Sequence, residues 1–217
     1  MVRLYLAKAD QIDDKTAQAL LPLLPAERRQ ANGIIAQRSL QLQIAAGALL
    51  LYAQKAYGLP ADAELARTEY GKPYFPEYPG FCFSLSHSGS WALCAVDKYA
   101  LGADIQQVVA VERRTRERCL TNAELNWLDG LPDEKKDAAF CRIWCLKESL
   151  LKAEGCGLRH LPSCVQVIDE QGRISERNYD FHEFSRPGHA AAVCFAKESI
   201  YEGTQEVDLR CLLRDEV

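Results

Sequence analysis

Two long runs of helix-forming residues, about 26–57 and 137–155, each stop at glycine and are each followed by short apolar segments. The first ends at Tyr57-Gly58-Leu59-Pro60. It leads through a short strand at Leu65–Thr68 and a turn at Glu69–Tyr74 to strands at Phe81–Ser86 and Trp91–Val96. The second ends at Gly155 and Gly157. It leads through a hairpin, Val165–Ile168 and Gly172–Ile174, to strands at 178–184 and 190–196. Helices of this length take most of their stability from an apolar face packed on another element. The repeated order predicts an α+β fold of two similar α/β subdomains related by a pseudo-twofold axis. The subdomains would be residues 1–100 and 101–217, one functional unit with a ligand cleft between the halves. One continuous mixed sheet is the competing arrangement.

The remaining segments fit around these runs. Met1–Lys8 alternates like a strand and has no signal-peptide core or cleavage site. Residues 10–24 read as helix, with Asp13 and Asp14 at its start and Pro22 and Pro25 at the break. Leu101–Ile105 is a short apolar segment, and 112–119 is a charged helix. Thr121-Asn122-Ala123-Glu124 has the spacing of a capping box. The tail from Lys197 is polar, with one apolar cluster at Cys211-Leu212-Leu213, and no strand is predicted there.

Composition narrows the function classes. At 48% hydrophobic and 26% charged the chain is globular, not disordered, and a net charge of −4 speaks against general nucleic-acid binding. No apolar run reaches a membrane span. The nine cysteines include no C-x-x-C and sit mostly in apolar runs, as buried thiols of a cytoplasmic protein do. Cys141 and Cys145 are one helical turn apart, but nothing accompanies them at zinc-site spacing.

Three segments carry chemistry. In the second helix Trp144, Glu148 and Lys152 recur every fourth residue, which puts indole, carboxylate and amine on one stripe. By itself this is also the pattern of an exposed ion pair. Phe83-Ser84-Leu85-Ser86-His87-Ser88-Gly89 is a strand entering a polar turn, able to hold phosphate oxygens or to be a plain hairpin loop. In Gly102-Ala103-Asp104-Ile105-Gln106, the side chains of Asp104 and Gln106 face one way. With Glu148 they make an all-oxygen set, which suits Mg2+ better than zinc.

Gly71-Lys72-Pro73-Tyr74, the serine-rich strand, Gly102-Ala103-Asp104-Ile105 and Trp144-Cys145-Leu146-Lys147-Glu148-Ser149-Leu150-Leu151-Lys152 follow in order, with 44 residues from Asp104 to Glu148. This ordered set resembles the 4'-phosphopantetheinyl transferase superfamily, in its longer, two-subdomain branch. The motifs cover residues 71–157, and the duplication fits the fold of that branch.

The resemblance implies a holo-[acyl-carrier-protein] synthase activity. Such an enzyme transfers the phosphopantetheine arm of coenzyme A to a serine of an apo carrier protein, with Mg2+, and releases adenosine 3',5'-bisphosphate. It assigns Asp104, Gln106 and Glu148 to the metal and Lys152 to the pyrophosphate. Ser86 and His87 fall near the 3'-phosphate, Lys72 at the nucleotide end, and Arg28, Arg29 and Arg38 are candidates for the 3'-phosphate. Gln106 departs from the family's usual Glu, which leaves the metal set one negative charge short. Gln43 lies near where many members carry a further base. Glu148 is a candidate base for the carrier serine. Carrier proteins are acidic, and Arg113, Arg114, Arg116 and Arg118 would form part of their docking surface. The expected state is a monomer in the cytoplasm. The competing functions are a Mg2+-dependent nucleotide pyrophosphate hydrolase and a coenzyme A or carrier-binding module without turnover.

Overall fold

The computed structural model describes residues 1–24, 37–156 and 162–214. Three strands, β4 (Cys82–Ser88), β5 (Trp91–Asp97) and β1 (Val2–Lys8), form an antiparallel set. A fourth, β9 (Tyr201–Glu206), adds in parallel beside β1. The tail predicted to be strandless therefore returns to the first sheet. Its polar, mostly exposed side chains hid the strand, because an edge strand needs only backbone partners on one side. A second sheet has the order β6 (Leu101–Gln107), β8 (His189–Ala196), β7 (Tyr179–Arg186), all antiparallel. A two-residue pair, β2 (Ala66–Arg67) and β3 (Pro73–Tyr74), stands apart.

The layers follow from which faces are apolar. One face of the first sheet packs under helix α2 (Gln37–Ala56) through Leu49, Leu50, Phe83, Cys94 and Val96. Its other face, with Leu4, Leu6 and Leu93, meets Ala103, Ile105 and Val193 of the second sheet. The far side of the second sheet carries helix α5 (Asp133–Glu154) through Ile143, Leu146 and Leu150. The result is a mixed α+β stack of helix, sheet, sheet and helix. Strand β5 is buried on both faces, which is why it reads as an unbroken apolar run.

Helix α5 begins four residues earlier than its sequence pattern predicts. Pro132 stands before it, and Asp133 and Glu134 occupy the first turn, where acidic side chains oppose the helix dipole. It ends at Gly155 in the left-handed conformation, φ 70°. Residues 10–24 split into helix α1 (Asp14–Leu20), capped by Asp13, and two flanking 3-10 turns. The hairpin expected at 165–174 reduces to one bridge, Ile168 to Ile174. Helices α3 (Arg113–Cys119) and α4 (Asn122–Asp129) precede α5, and α6 (Cys211–Arg214) closes the described chain.

The predicted capping box is present: Thr121 N–H donates to Glu124, and Glu124 N–H to Thr121 Oγ1. Glu124 does more than cap. Wholly buried, it accepts from Val167 N–H at 3.0 Å and pairs with the equally buried Lys147 at 2.6 Å.

Candidate active site

Strand β6 is an edge strand whose outer side faces β4, and no strand among the described residues pairs with that side. Buried backbone groups must still be satisfied. Side chains do it here. Ser84, Ser86 and Ser88 alternate along β4, so all lie on one face, and their hydroxyls accept from the N–H groups of Ala103, Ile105 and Gln107 at 3.0, 3.3 and 3.0 Å. Two ammonium groups take the carbonyls. Lys72 donates to Leu101 O at 3.1 Å, and Lys152 to Ala103 O at 3.0 Å. The hydroxyls thus join one face of β4 to the open edge of β6, and the two amines tie Lys72 and α5 to the same edge.

Asp104 lies at this seam and is 2% exposed. Ser86 Oγ donates to its Oδ1 at 2.7 Å, Lys152 Nζ pairs with the same oxygen at 2.7 Å, and Gln106 Nε2 donates to Oδ2 at 3.0 Å. Glu148 stands one helical turn before Lys152 on α5. Burial first, and the negative Asp104 second, raise its carboxyl above the usual carboxylate range, while Lys152 opposes the rise. The helix comes this close because residue 102 is glycine. A Cβ there would collide with the Ser149 carbonyl oxygen and the Ala153 nitrogen.

Asp104, Gln106, Glu148, Lys152, Lys72, Ser86 and His87 all line one open cleft of about 500 Å³, with Ala46 of α2 forming part of another wall. The sequence places all of these in the site, and they converge. His87 is exposed and sits on the opposite face of β4 from the serines. Arg28 and Arg29, and the side chain of Arg38, lie outside the described residues. Lys72 reaches into the protein, donating also to the carbonyls of Lys152 and Ala153 at 2.6 and 3.3 Å. The sequence offers Ser84 and Ser88 as candidate phosphate holders, not as acceptors for β6 N–H groups, and does not show the buried Lys147–Glu124 pair. The one available signal is three serines alternating in an apolar strand, the period of one sheet face.

Among the described residues no group of three or more His, Cys, Asp and Glu converges as a metal shell, because the third candidate is the carboxamide of Gln106. The donor chemistry still fits a hard divalent cation: two carboxylates, one of them strained by the other's charge, and an amide oxygen. The Gln106 amide presents its NH2 to Asp104 and its oxygen towards Ser88, 3.4 Å away, so it must turn over to offer that oxygen to a cation beside Asp104.

A buried carboxylate, a second carboxylate of raised pKa and an amine around one open cleft equip an enzyme for proton transfer and for stabilising anionic charge. Comparison with known proteins specifies which kind. Residues 100–200 match the family model of the 4'-phosphopantetheinyl transferase superfamily. A 4'-phosphopantetheinyl transferase of Bacillus subtilis is 35% identical over 70% of this chain and 72% of its own length. The transferase psf-1 of Bacillus pumilus is 29% identical over 93% of both chains. The transferase Sfp of Bacillus subtilis strain 168 is 30% identical over 70% of this chain and 72% of its own. The chain belongs to the 4'-phosphopantetheinyl transferase superfamily.

Proposed function

We propose that this protein transfers the 4'-phosphopantetheine arm of coenzyme A to a serine of an apo acyl or peptidyl carrier protein. The observation that carries the reading is the convergence of Asp104, Glu148 and Lys152 on one cleft in a chain of this family. The carrier serine oxygen attacks the phosphorus that bears the pantetheine. The bond from that phosphorus to the bridging oxygen breaks, and adenosine 3',5'-bisphosphate leaves with the negative charge. Glu148 takes the serine proton, directly or through a water. Lys152 turns from Asp104 towards the pyrophosphate and stabilises the leaving group. Asp104, Glu148 and Gln106 would hold Mg2+, which supplies charge neutralisation at the pyrophosphate when bound. Ser86 and His87 border the end of the cleft that takes the nucleotide, with Arg28 or Arg38 at its 3'-phosphate.

The pseudo-twofold arrangement draws support from the layering, since each half sets one long helix on one sheet. The halves 1–100 and 101–217 share the cleft as a single unit, and the tail adds β9 to the first sheet. We place the enzyme in the cytoplasm as a monomer; no helix among the described residues is long and apolar enough to cross a membrane.

The carrier is acidic and docks on the arginines after β6. Geometry divides these arginines. Arg116 is mostly buried and pairs with Asp137 at 2.7 Å, and Arg113 bonds Glu117 at 2.8 Å. Arg114 and Arg118 are the pair best placed to meet a partner's carboxylates.

Intact mass spectrometry of apo carriers incubated with the protein and coenzyme A, with Mg2+ or with a chelator, tests the reading. The expected result is a gain of one phosphopantetheine, dependent on metal and absent for Glu148→Ala. Tight coenzyme A binding without any gain on several carrier classes points instead to a binding module. Free phosphopantetheine in solution points to a hydrolase.

A further inference from the structure

Lys72 belongs to the first half of the chain, yet among the described residues its ammonium bonds to the second. Nζ donates to Leu101 O at the start of β6, and to Lys152 O and Ala153 O in the last turn of α5. The final carbonyls of a helix have no partner within it, and the outer carbonyls of an edge strand have none within the sheet. One ammonium group satisfies both sets and also offsets the negative end of the helix dipole.

The backbone of Lys72 is held firmly enough to act as a strut. Thr68 N–H donates to Lys72 O at 2.9 Å, Lys72 N–H to Thr68 Oγ1 at 3.2 Å, and Gly71 N–H to Thr68 O at 2.9 Å. Arg67 adds a bond to Gly71 O at 2.9 Å. The stem then passes Gly155, where an added Cβ would come within 3.3 Å of Lys72 Cδ.

We propose that the Lys72 side chain is a positioning group: its ammonium clamps the last turn of α5 against the start of β6, and so fixes Glu148 and Lys152 relative to Asp104, instead of contacting the nucleotide itself. The clamped elements are the two that carry the reacting groups. Gly102 and the Lys152–Ala103 bond lie directly beside the clamp. Burial pushes the Lys72 ammonium below its ordinary pKa, as expected for a group enclosed by carbonyls and not by anions.

The inference rests on the transferase reading, and the test keeps the two apart. The wild-type protein must first load an apo carrier with phosphopantetheine; failure there sinks the reading itself. Lys72→Met, neutral and of similar length, is then compared with wild type in steady-state kinetics and in calorimetric binding of adenosine 3',5'-bisphosphate. A positioning role predicts kcat lower by about tenfold to a hundredfold, with KM for coenzyme A and Kd for the bisphosphate within about twofold of wild type. A nucleotide contact predicts the reverse, KM and Kd raised about tenfold or more with kcat kept, and that result overturns the proposal. Should Lys72→Met not fold, Lys72→Arg makes the same distinction. Guanidinium keeps the charge that an anionic nucleotide feels, but cannot put one nitrogen among three carbonyls. A fall in kcat at unchanged Kd supports the clamp, and wild-type kcat in that variant refutes it.

Discussion

Ser86 Oγ donates to Asp104 Oδ1 at 2.7 Å while accepting from Ile105 N–H at 3.3 Å. One hydroxyl therefore orients the buried carboxylate of the site and closes the seam between the sheets. Ser86→Ala leaves a buried N–H without its acceptor and the carboxylate one donor short, at an expected cost of about 1–3 kcal/mol. Thermal melting should show that loss. Ser84→Ala, which removes only the Ala103 acceptor, should cost similar stability but keep more of kcat. Equal kcat losses in the two variants would mean that the hydroxyl's bond to Asp104 carries no special weight.

Gly102 is required by space. Of the three α5 atoms that an added Cβ would strike, two are backbone atoms and the third is Lys152 Cβ, fixed directly to the backbone, so none can rotate away. Gly102→Ala should destabilise by about 1–3 kcal/mol or more through overpacking, and should reduce kcat by displacing the helix. A variant that melts like wild type would show that α5 has room to shift.

Lys147 and Glu124 are both 0% exposed and face each other at 2.6 Å. Removing one partner strands a buried charge. Lys147→Met alone should cost about 3–5 kcal/mol, and the double variant Lys147→Met, Glu124→Gln should recover a large part of it. Denaturant titration of the four proteins of this cycle gives the coupling directly.

The Glu148 carboxyl is held above the usual carboxylate range, by burial and then by Asp104. A raised folded pKa means the folded state favours the protonated form. The stability contributed is full below the unfolded pKa and is lost as pH rises through the folded value. With chelator present, Glu148→Gln should therefore melt higher than wild type at neutral pH, and the gap should close as pH falls to the carboxylate range. A gap that does not change with pH would assign it to packing.

Charge reversal at Arg114 and Arg118 should raise KM for the carrier and leave KM for coenzyme A unchanged, with a stronger effect at low salt. Reversal at Arg116 should lower the melting temperature instead, since its partner is Asp137. Unchanged carrier kinetics for Arg114 and Arg118 would move the docking surface elsewhere.

The site was legible in sequence wherever a local period sets direction. The i,i+4 spacing of Glu148 and Lys152 puts both on one face of α5, and the i,i+2 spacing of Asp104 and Gln106 puts both on one face of β6. The Thr121–Glu124 cap and the glycine stop at Gly155 are local in the same sense. Their partners lie within one turn of helix, so neighbouring residues alone decide them.

What the sequence by itself determined is therefore the long helices where they are described, α3 and α4, most strands, the cap and, among the described residues, the set that lines the cleft. Tertiary structure alone decided what the polar side chains bond to. The serines of β4 look like phosphate ligands, but they face the open edge of β6, whose N–H groups need acceptors once the sheets pack. Lys72 is expected at the nucleotide end, but carbonyls at the end of α5 and the start of β6 draw its ammonium inward. The polar tail shows no strand pattern, but β1 offers it an edge to pair with. In each case the deciding partner is an unpaired backbone group on an element remote in sequence. Such a group exists only after the layers assemble, so no local pattern announces it.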